Sequence, residues 1–244
     1  MHTEGHEAPI DETLRLPAAG AMLEGRLQAP PSARGIVLFA HGSGSSRHSP
    51  RNRYVASVLQ SRGIGTLLVD LLTPEEDLVR ENRFDIDLLS RRPGEAADGL
   101  RVLPPCAGLP LGLFGASTGA ASALRLAARP AAGIAAVVSR GGRPDLAGAP
   151  ALRAVRAPVL LIVGGLDEEV LELNRAAWAE LRCDRRLEIV PGATHLFEEP
   201  GTLERAAALA ADWFGRHFEQ ALPCRGDRTK RGTIPHPNHK EERR

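Results

Sequence analysis

Short apolar runs recur along this chain, most of them followed by a stretch whose apolar residues fall at helical spacing. The runs are Gly35–Ala40, Gly65–Asp70, Leu109–Gly115, Gly133–Ser139 and Pro158–Val163, and Arg186–Val190 closes the series. Runs of this length without strict polar alternation read as strands buried on both faces. The intervening pattern predicts helices over Arg53–Arg62, Asp87–Val102, Ser117–Ala128, Glu168–Leu181 and Leu203–Phe218. The last carries Ala206, Leu209, Trp213 and Phe218 toward the core. Two further strand-like pieces, Thr13–Leu16 and Ala21–Leu27, precede the series and read as an antiparallel hairpin. Strands alternating with helices predict a mostly parallel sheet covered on both sides, an α/β domain.

This pattern covers residues 11–221 and predicts one domain there. Residues 1–10 read as a flexible N-terminus, and 222–244 as a basic, disordered tail rich in Pro, Gly, His and charge. Between Asp70 and Leu109 the pattern supplies only one helix, which predicts a minimal lid and a fairly open pocket. At 244 residues, 43% of them hydrophobic, the chain can bury a full core without staples.

Charge and cysteine usage narrow the function classes. The formal net charge is +1. From Pro223 on there are seven basic and three acidic residues, a +4 tail that leaves −3 for the body. A mildly acidic body excludes nucleic acid as the main partner. The three cysteines, Cys106, Cys183 and Cys224, are odd in number and widely spaced, so no disulfide framework, metal centre or redox pair is implied. The first residues lack the apolar core of a secretory signal, and no run of about 18 apolar residues could span a membrane, so the expected location is the cytoplasm.

The chemistry-bearing motif is Gly115-Ala-Ser117-Thr-Gly119, set between an apolar strand and an Ala-rich helix. A strand that turns into a helix within one residue leaves that residue strained and its side chain projecting above the sheet. Glycines on either side let strand and helix approach. The competing reading of Ser117 is an ordinary helix N-cap. A serine hydroxyl needs a base, and His195 follows the last strand on the edge where strand C-termini gather. Asp167 directly follows the strand ending at Val163; it is preferred over Asp145, which lies behind Gly141, Gly142 and Pro144, and over Glu168. The order Ser117, Asp167, His195 is the order of the nucleophile-elbow architecture. The loop His41–Ser46 follows the strand ending at Ala40, and the amides of Ser43 and Thr118 are the expected oxyanion donors. The side chain of His41 is read as holding this loop. It lacks the Lys of a phosphate-binding GxxxxGK[ST] loop, so no nucleotide site is implied. Arg47, Arg51, Arg140 and Arg143 lie in loops near the same edge. Arg47 and Arg140 are the candidate substrate-binding residues, for an anionic group.

Taken together, Phe39–Ser46, Gly115–Gly119, Leu161–Asp167 and Pro191–His195 resemble the α/β-hydrolase superfamily and, within it, the dienelactone hydrolase-like family. The resemblance covers residues 11–220. It implies a single-domain, mainly parallel eight-stranded sheet flanked by helices, and hydrolysis of a small-molecule ester or lactone with no cofactor and no metal. Dienelactone hydrolases proper use a cysteine nucleophile; Ser117 stands there here and favours a serine esterase acting through an acyl-enzyme. The Gly42–Asn52 stretch also looks like hydrolase domains that occur alone or fused to phosphoribosyltransferase domains, for which 244 residues leave no room. Two alternatives stay open: a thioesterase or peptidase on the same triad, and a non-catalytic binding module of the same fold. The sequence leaves the oligomeric state undetermined.

Overall fold

A computed structural model describes residues 8–222. The fold runs from Ile10 to Ala221, and the readings made of residues 1–7 and 223–244 fall outside the described residues. In chain order the strands are β1 Ile10–Ala18, β2 Ala21–Ala29, β3 Ile36–Ala40, β4 Gly65–Val69, β5 Leu111–Ala116, β6 Ile134–Arg140, β7 Val159–Gly164 and β8 Arg185–Val190. The helices are α1 Pro50–Ser61, α2 Pro74–Asp77, α3 Ile86–Val102, α4 Thr118–Ala127, α5 Ala149–Ala154, α6 Glu168–Glu180 and α7 Thr202–Ala221.

All eight strands form one sheet in the order β1-β2-β4-β3-β5-β6-β7-β8. β2 pairs antiparallel with both β1 and β4, and every other pair is parallel. This is the mainly parallel, eight-stranded single-domain architecture that the resemblance implies.

The apolar runs are buried on both faces because successive residues point to opposite sides of the sheet. Leu38, Leu67, Leu113, Val137 and Leu161 face one core, filled from α3 and α4 by residues such as Leu89, Leu100 and Leu124. Val37, Phe39, Phe114, Val138 and Ile162 face the other, filled by Val55 and Leu59 of α1 and by Ala206, Phe214 and Phe218 of α7.

The stretch between β4 and β5 holds more than the one helix expected. α2 and a 3-10 turn over Arg80–Phe84 precede α3. α2 opens with a capping box, in which the Thr73 hydroxyl accepts from the Glu76 amide and the Glu76 carboxylate accepts from the Thr73 amide. Arg92 of α3, buried to 1% exposure, donates to Glu76 at 2.5 and 2.6 Å and to the Leu71 carbonyl at 2.6 Å. The segment therefore lies clamped to the domain rather than forming a lid domain. Among the described residues no helix is long and apolar enough to cross a membrane.

Candidate active site

The sheet delivers its chemistry at the carboxyl ends of β3, β5, β6, β7 and β8. At the end of β5 the chain reverses into α4 within a single residue, Ser117, whose φ is 51° and ψ −125°. The Ser117 side chain makes no capping hydrogen bond to α4, so the N-cap reading does not hold. The turn is held through its backbone: the Ser117 carbonyl accepts from the amides of Ala120 (3.1 Å) and Arg143 (3.0 Å). The flanking glycines are required by close approach. A methyl at Gly119 would be driven into the carbonyl oxygens of Ala40 and His41, the latter at 2.6 Å. One at Gly42 would stand 3.0 Å from the Ser117 Cβ.

His195 sits in the turn after β8. Its Nδ1 lies 2.7 Å from an Asp167 carboxylate oxygen. Asp167 precedes α6 but makes no side-chain cap to it, so its side chain serves the imidazole instead. A carboxylate can only accept, so Nδ1 carries the hydrogen and Nε2 is left with its lone pair. The rival acid Asp145 is taken up by Arg143, which grips it at 2.9 and 2.8 Å. The His195 turn is fixed from both sides: Thr194 donates to Glu199 through its amide (3.0 Å) and its hydroxyl (2.6 Å), and Leu166 donates to the Ala193 carbonyl at 2.9 Å.

Ser117 and His195 line one cavity of about 290 Å³, together with Gly42, Arg51, Asn52 and Arg140. No hydrogen bond joins the Ser117 hydroxyl to the imidazole; such bonds often tighten only when substrate is bound.

The expected oxyanion donors behave differently from one another. Thr118 is the first residue of α4, so its amide has no partner one turn earlier in its own helix. The Ser43 amide, by contrast, is already engaged, donating to the Thr118 hydroxyl at 2.9 Å. The hydroxyl of the neighbouring candidate thus occupies the Ser43 amide in this structure. His41 holds the loop, as its sequence position implies. Buried, it accepts from the Leu71 amide through Nε2 at 2.9 Å, while Nδ1 faces the Gly42 carbonyl at 2.9 Å. Burial pushes its pKa down, which keeps it neutral and able to accept.

Of the two arginines expected to bind substrate, the structure brings only Arg140 to Ser117. Arg140 ends β6 in register with Ala116 of β5, next to the nucleophile turn, and lines its cavity. Arg47 turns the other way. It pairs with Asp70 and, at 2.6 Å, with Glu24, and lines a separate cavity of about 340 Å³ beside His41. Asp70 directly follows β4 and offers Arg47 a largely buried counter-charge that a substrate would have to displace. The sequence reading missed Asn52, which is 3% exposed and faces the Ser117 cavity. Its position in the first turn of α1, just after the loop from β3, was the available signal.

No family model matches the chain. It is 51% identical to the dienelactone hydrolase from Anabaena variabilis in a crystal structure, with a TM-score of 0.83 over 86% of this chain and 99% of that one. It also superposes on Est1E from Butyrivibrio proteoclasticus with a TM-score of 0.73 at 15% identity, over 85% of this chain and 99% of that one, a likeness of fold. Over 208 residues, 85% of this chain, it is 58% identical to a Mycobacterium tuberculosis protein provisionally named a phosphoribosyl transferase. The chain spans about half, 47%, of that relative's length.

Proposed function

The chain belongs to the dienelactone hydrolase-like family of the α/β-hydrolase superfamily, and from that premise we propose that it is a serine hydrolase cleaving a carboxylic ester or lactone of a small molecule through an acyl-enzyme on Ser117. The observation that carries this reading is the pairing in one cavity of a strained, uncapped Ser117 with an imidazole whose Nδ1 is already held by Asp167.

In this reading the Ser117 oxygen attacks the substrate carbonyl carbon and its proton passes to His195 Nε2. Asp167 keeps the ring in the tautomer that can take the proton and stabilises the imidazolium that results. The carbonyl oxygen becomes an oxyanion, which the Thr118 amide and the N-terminal end of α4 receive. The Ser43 amide can join once the Thr118 hydroxyl turns away from it. Collapse of the tetrahedral intermediate breaks the bond to the leaving alkoxide, which takes the proton from His195 and departs as the alcohol. A water then gives a proton to His195 and its oxygen to the acyl carbon. The second collapse returns the proton to Ser117 and releases the acid. No step calls on a metal or a cofactor. A cavity near 290 Å³ lies at the small end of ligand sites, generally about 300–1,000 Å³, which fits a small ester.

The phosphoribosyl transferase name of the mycobacterial relative belongs to a chain about twice as long, and we assign no such transfer to the half matched here. The test is a panel of 4-nitrophenyl esters run on wild type and Ser117→Ala, with fluorophosphonate labelling alongside. Turnover and labelling are both expected in wild type and both lost in S117A. Folded wild type that resists labelling at Ser117 would refute the reading in favour of a binding module. Faster turnover of acyl-thioesters than of matched oxygen esters would shift it to a thioesterase.

A further inference from the structure

Among the described residues, Arg140 is the one guanidinium of the Ser117 cavity that has no partner. It is 6% exposed, yet among the described residues no carboxylate pairs with it and its Nε has no hydrogen bond. Its nearest organised neighbour is the Phe197 ring, whose centroid lies 5.5 Å from the guanidinium carbon and which braces it from one side. Burial, with the nearby Arg51 charge, lowers its pKa to about 10, so it stays cationic at neutral pH. An uncompensated buried cation is costly to a fold. Arg92, still more buried, is paired with Glu76, and Arg47 and Arg143 with Asp70 and Asp145; Arg185, stacked on Trp178, also lacks a carboxylate among the described residues but lies outside this cavity.

The surroundings of Arg140 point the same way. Arg51 lines the same cavity and is held at its mouth by Glu198 at 2.9 Å, an exposed carboxylate whose charge water screens. No carboxylate lines the cavity itself. The buried Asn52 lines it as well, and among the described residues its side-chain oxygen has no partner. Two guanidinium groups offer more donors, and more charge, than the two oxygens of a carboxylate accept. Three oxygens bearing two charges match them, and arginine pairs with phosphoryl oxygens bidentately.

We propose that the Ser117 cavity is built for an ester that carries a second, phosphoryl-type dianion, a phosphate monoester or a phosphonate, gripped by Arg140 with Arg51. This rests on the hydrolase reading above and names its substrate class. Arg140 neighbours the nucleophile across the β5–β6 ladder, so the dianion and the scissile carbonyl belong to one short molecule.

The experiment compares three esters of one scaffold: 4-nitrophenyl butanoate, 4-nitrophenyl 3-carboxypropanoate and 4-nitrophenyl 3-phosphonopropanoate. Wild type is expected to show the highest kcat/KM on the phosphonate. In Arg140→Met the ratio of phosphonate to butanoate kcat/KM should fall roughly 10- to 100-fold, the range of a lost hydrogen bond to a charged group. Its melting temperature should hold or rise, because the charge removed had no partner; an arginine with a structural role would lower it. Should the variant not fold, the wild-type melting temperature decides: 3-phosphonopropanoate should raise it and butanoate should not. Equal kcat/KM on all three esters, a preference for the carboxylate, or no thermal shift with the phosphonate would overturn the subsite while leaving the hydrolase intact. Turnover of none of the three, without labelling of Ser117, would overturn the hydrolase reading itself.

Discussion

At the scale of single residues, the backbone of Ser117 is the most informative feature. A non-glycine residue held at φ 51° and ψ −125° costs about 1–3 kcal/mol, whatever its side chain does. Glycine would relieve that cost and give back up to about 1 kcal/mol in unfolded-state entropy. Ser117→Gly should therefore melt at or above Ser117→Ala, by up to about 6 °C for a domain of this size, although both lack the hydroxyl. Paired melting curves check this, and a lower value for the glycine variant would mean that the turn is not strained. Thr118 supports a second expectation. Its hydroxyl is the acceptor for the Ser43 amide. Thr118→Val should lose about 1 kcal/mol by chemical denaturation, and Thr118→Ser should keep it. At this scale the sequence was legible where a residue's role follows from the strand it succeeds: Ser117, Asp167 and His195 each stand just past a strand end. It was illegible where the role depends on which way a side chain turns. Arg47 and Arg51 are four positions apart, yet one faces Asp70 and the other the nucleophile's cavity.

At the scale of elements, the crossing of β3, β5 and α4 leaves no spare volume. A methyl at Gly119 would collide with the backbone of the β3 end, and backbone cannot swing aside as a side chain does. Gly119→Ala should cost more than about 3 kcal/mol or prevent folding, measured by denaturation and soluble yield. The clamp between α2 and α3 makes a pH-dependent prediction. Arg92 beside Glu76 holds its carboxyl below the ordinary value of 4.5. A depressed carboxyl stabilises the fold above its unfolded pKa, and that stabilisation fades as pH falls through the folded value. Glu76→Gln should thus be clearly less stable than wild type at pH 7, and the gap should close below pH 4.5. Thermal melts at pH 7 and pH 3.5 measure it; a constant gap would show that charge is not what the clamp uses. The long elements were readable because periodicity needs several turns to register, and their ends moved by only a few residues. α2 and α5, with four and six residues, fall below that threshold. Only local chemistry marked α2: Thr73, Pro74 and Glu76 form a helix-start signature between two loops.

At the scale of the whole molecule, both cores share the one sheet, so neither can open without exposing the strands' other face. Denaturation should be a single transition, with the fluorescence of Trp178 and Trp213 and far-ultraviolet circular dichroism tracing the same curve; separate midpoints would mean that the two layers unfold independently. The architecture could be read from the alternation of buried strands and helices, because each strand in a two-faced sheet must be apolar on both sides. The order of strands within the sheet is not written in that alternation. Nor is the occupant of the cavity, since the chemistry that selects it comes from α1 and β6, which meet only in three dimensions. That assembly by distant pieces has a further consequence for how the protein is made. Ser117 leaves the ribosome long before Asp167, and His195 follows only after β8 has been synthesised. For most of its synthesis, then, the nascent chain carries the proposed nucleophile without the proposed base. On the proposed reading the site is completed last, when the final parallel strand docks and brings the imidazole into the Ser117 cavity.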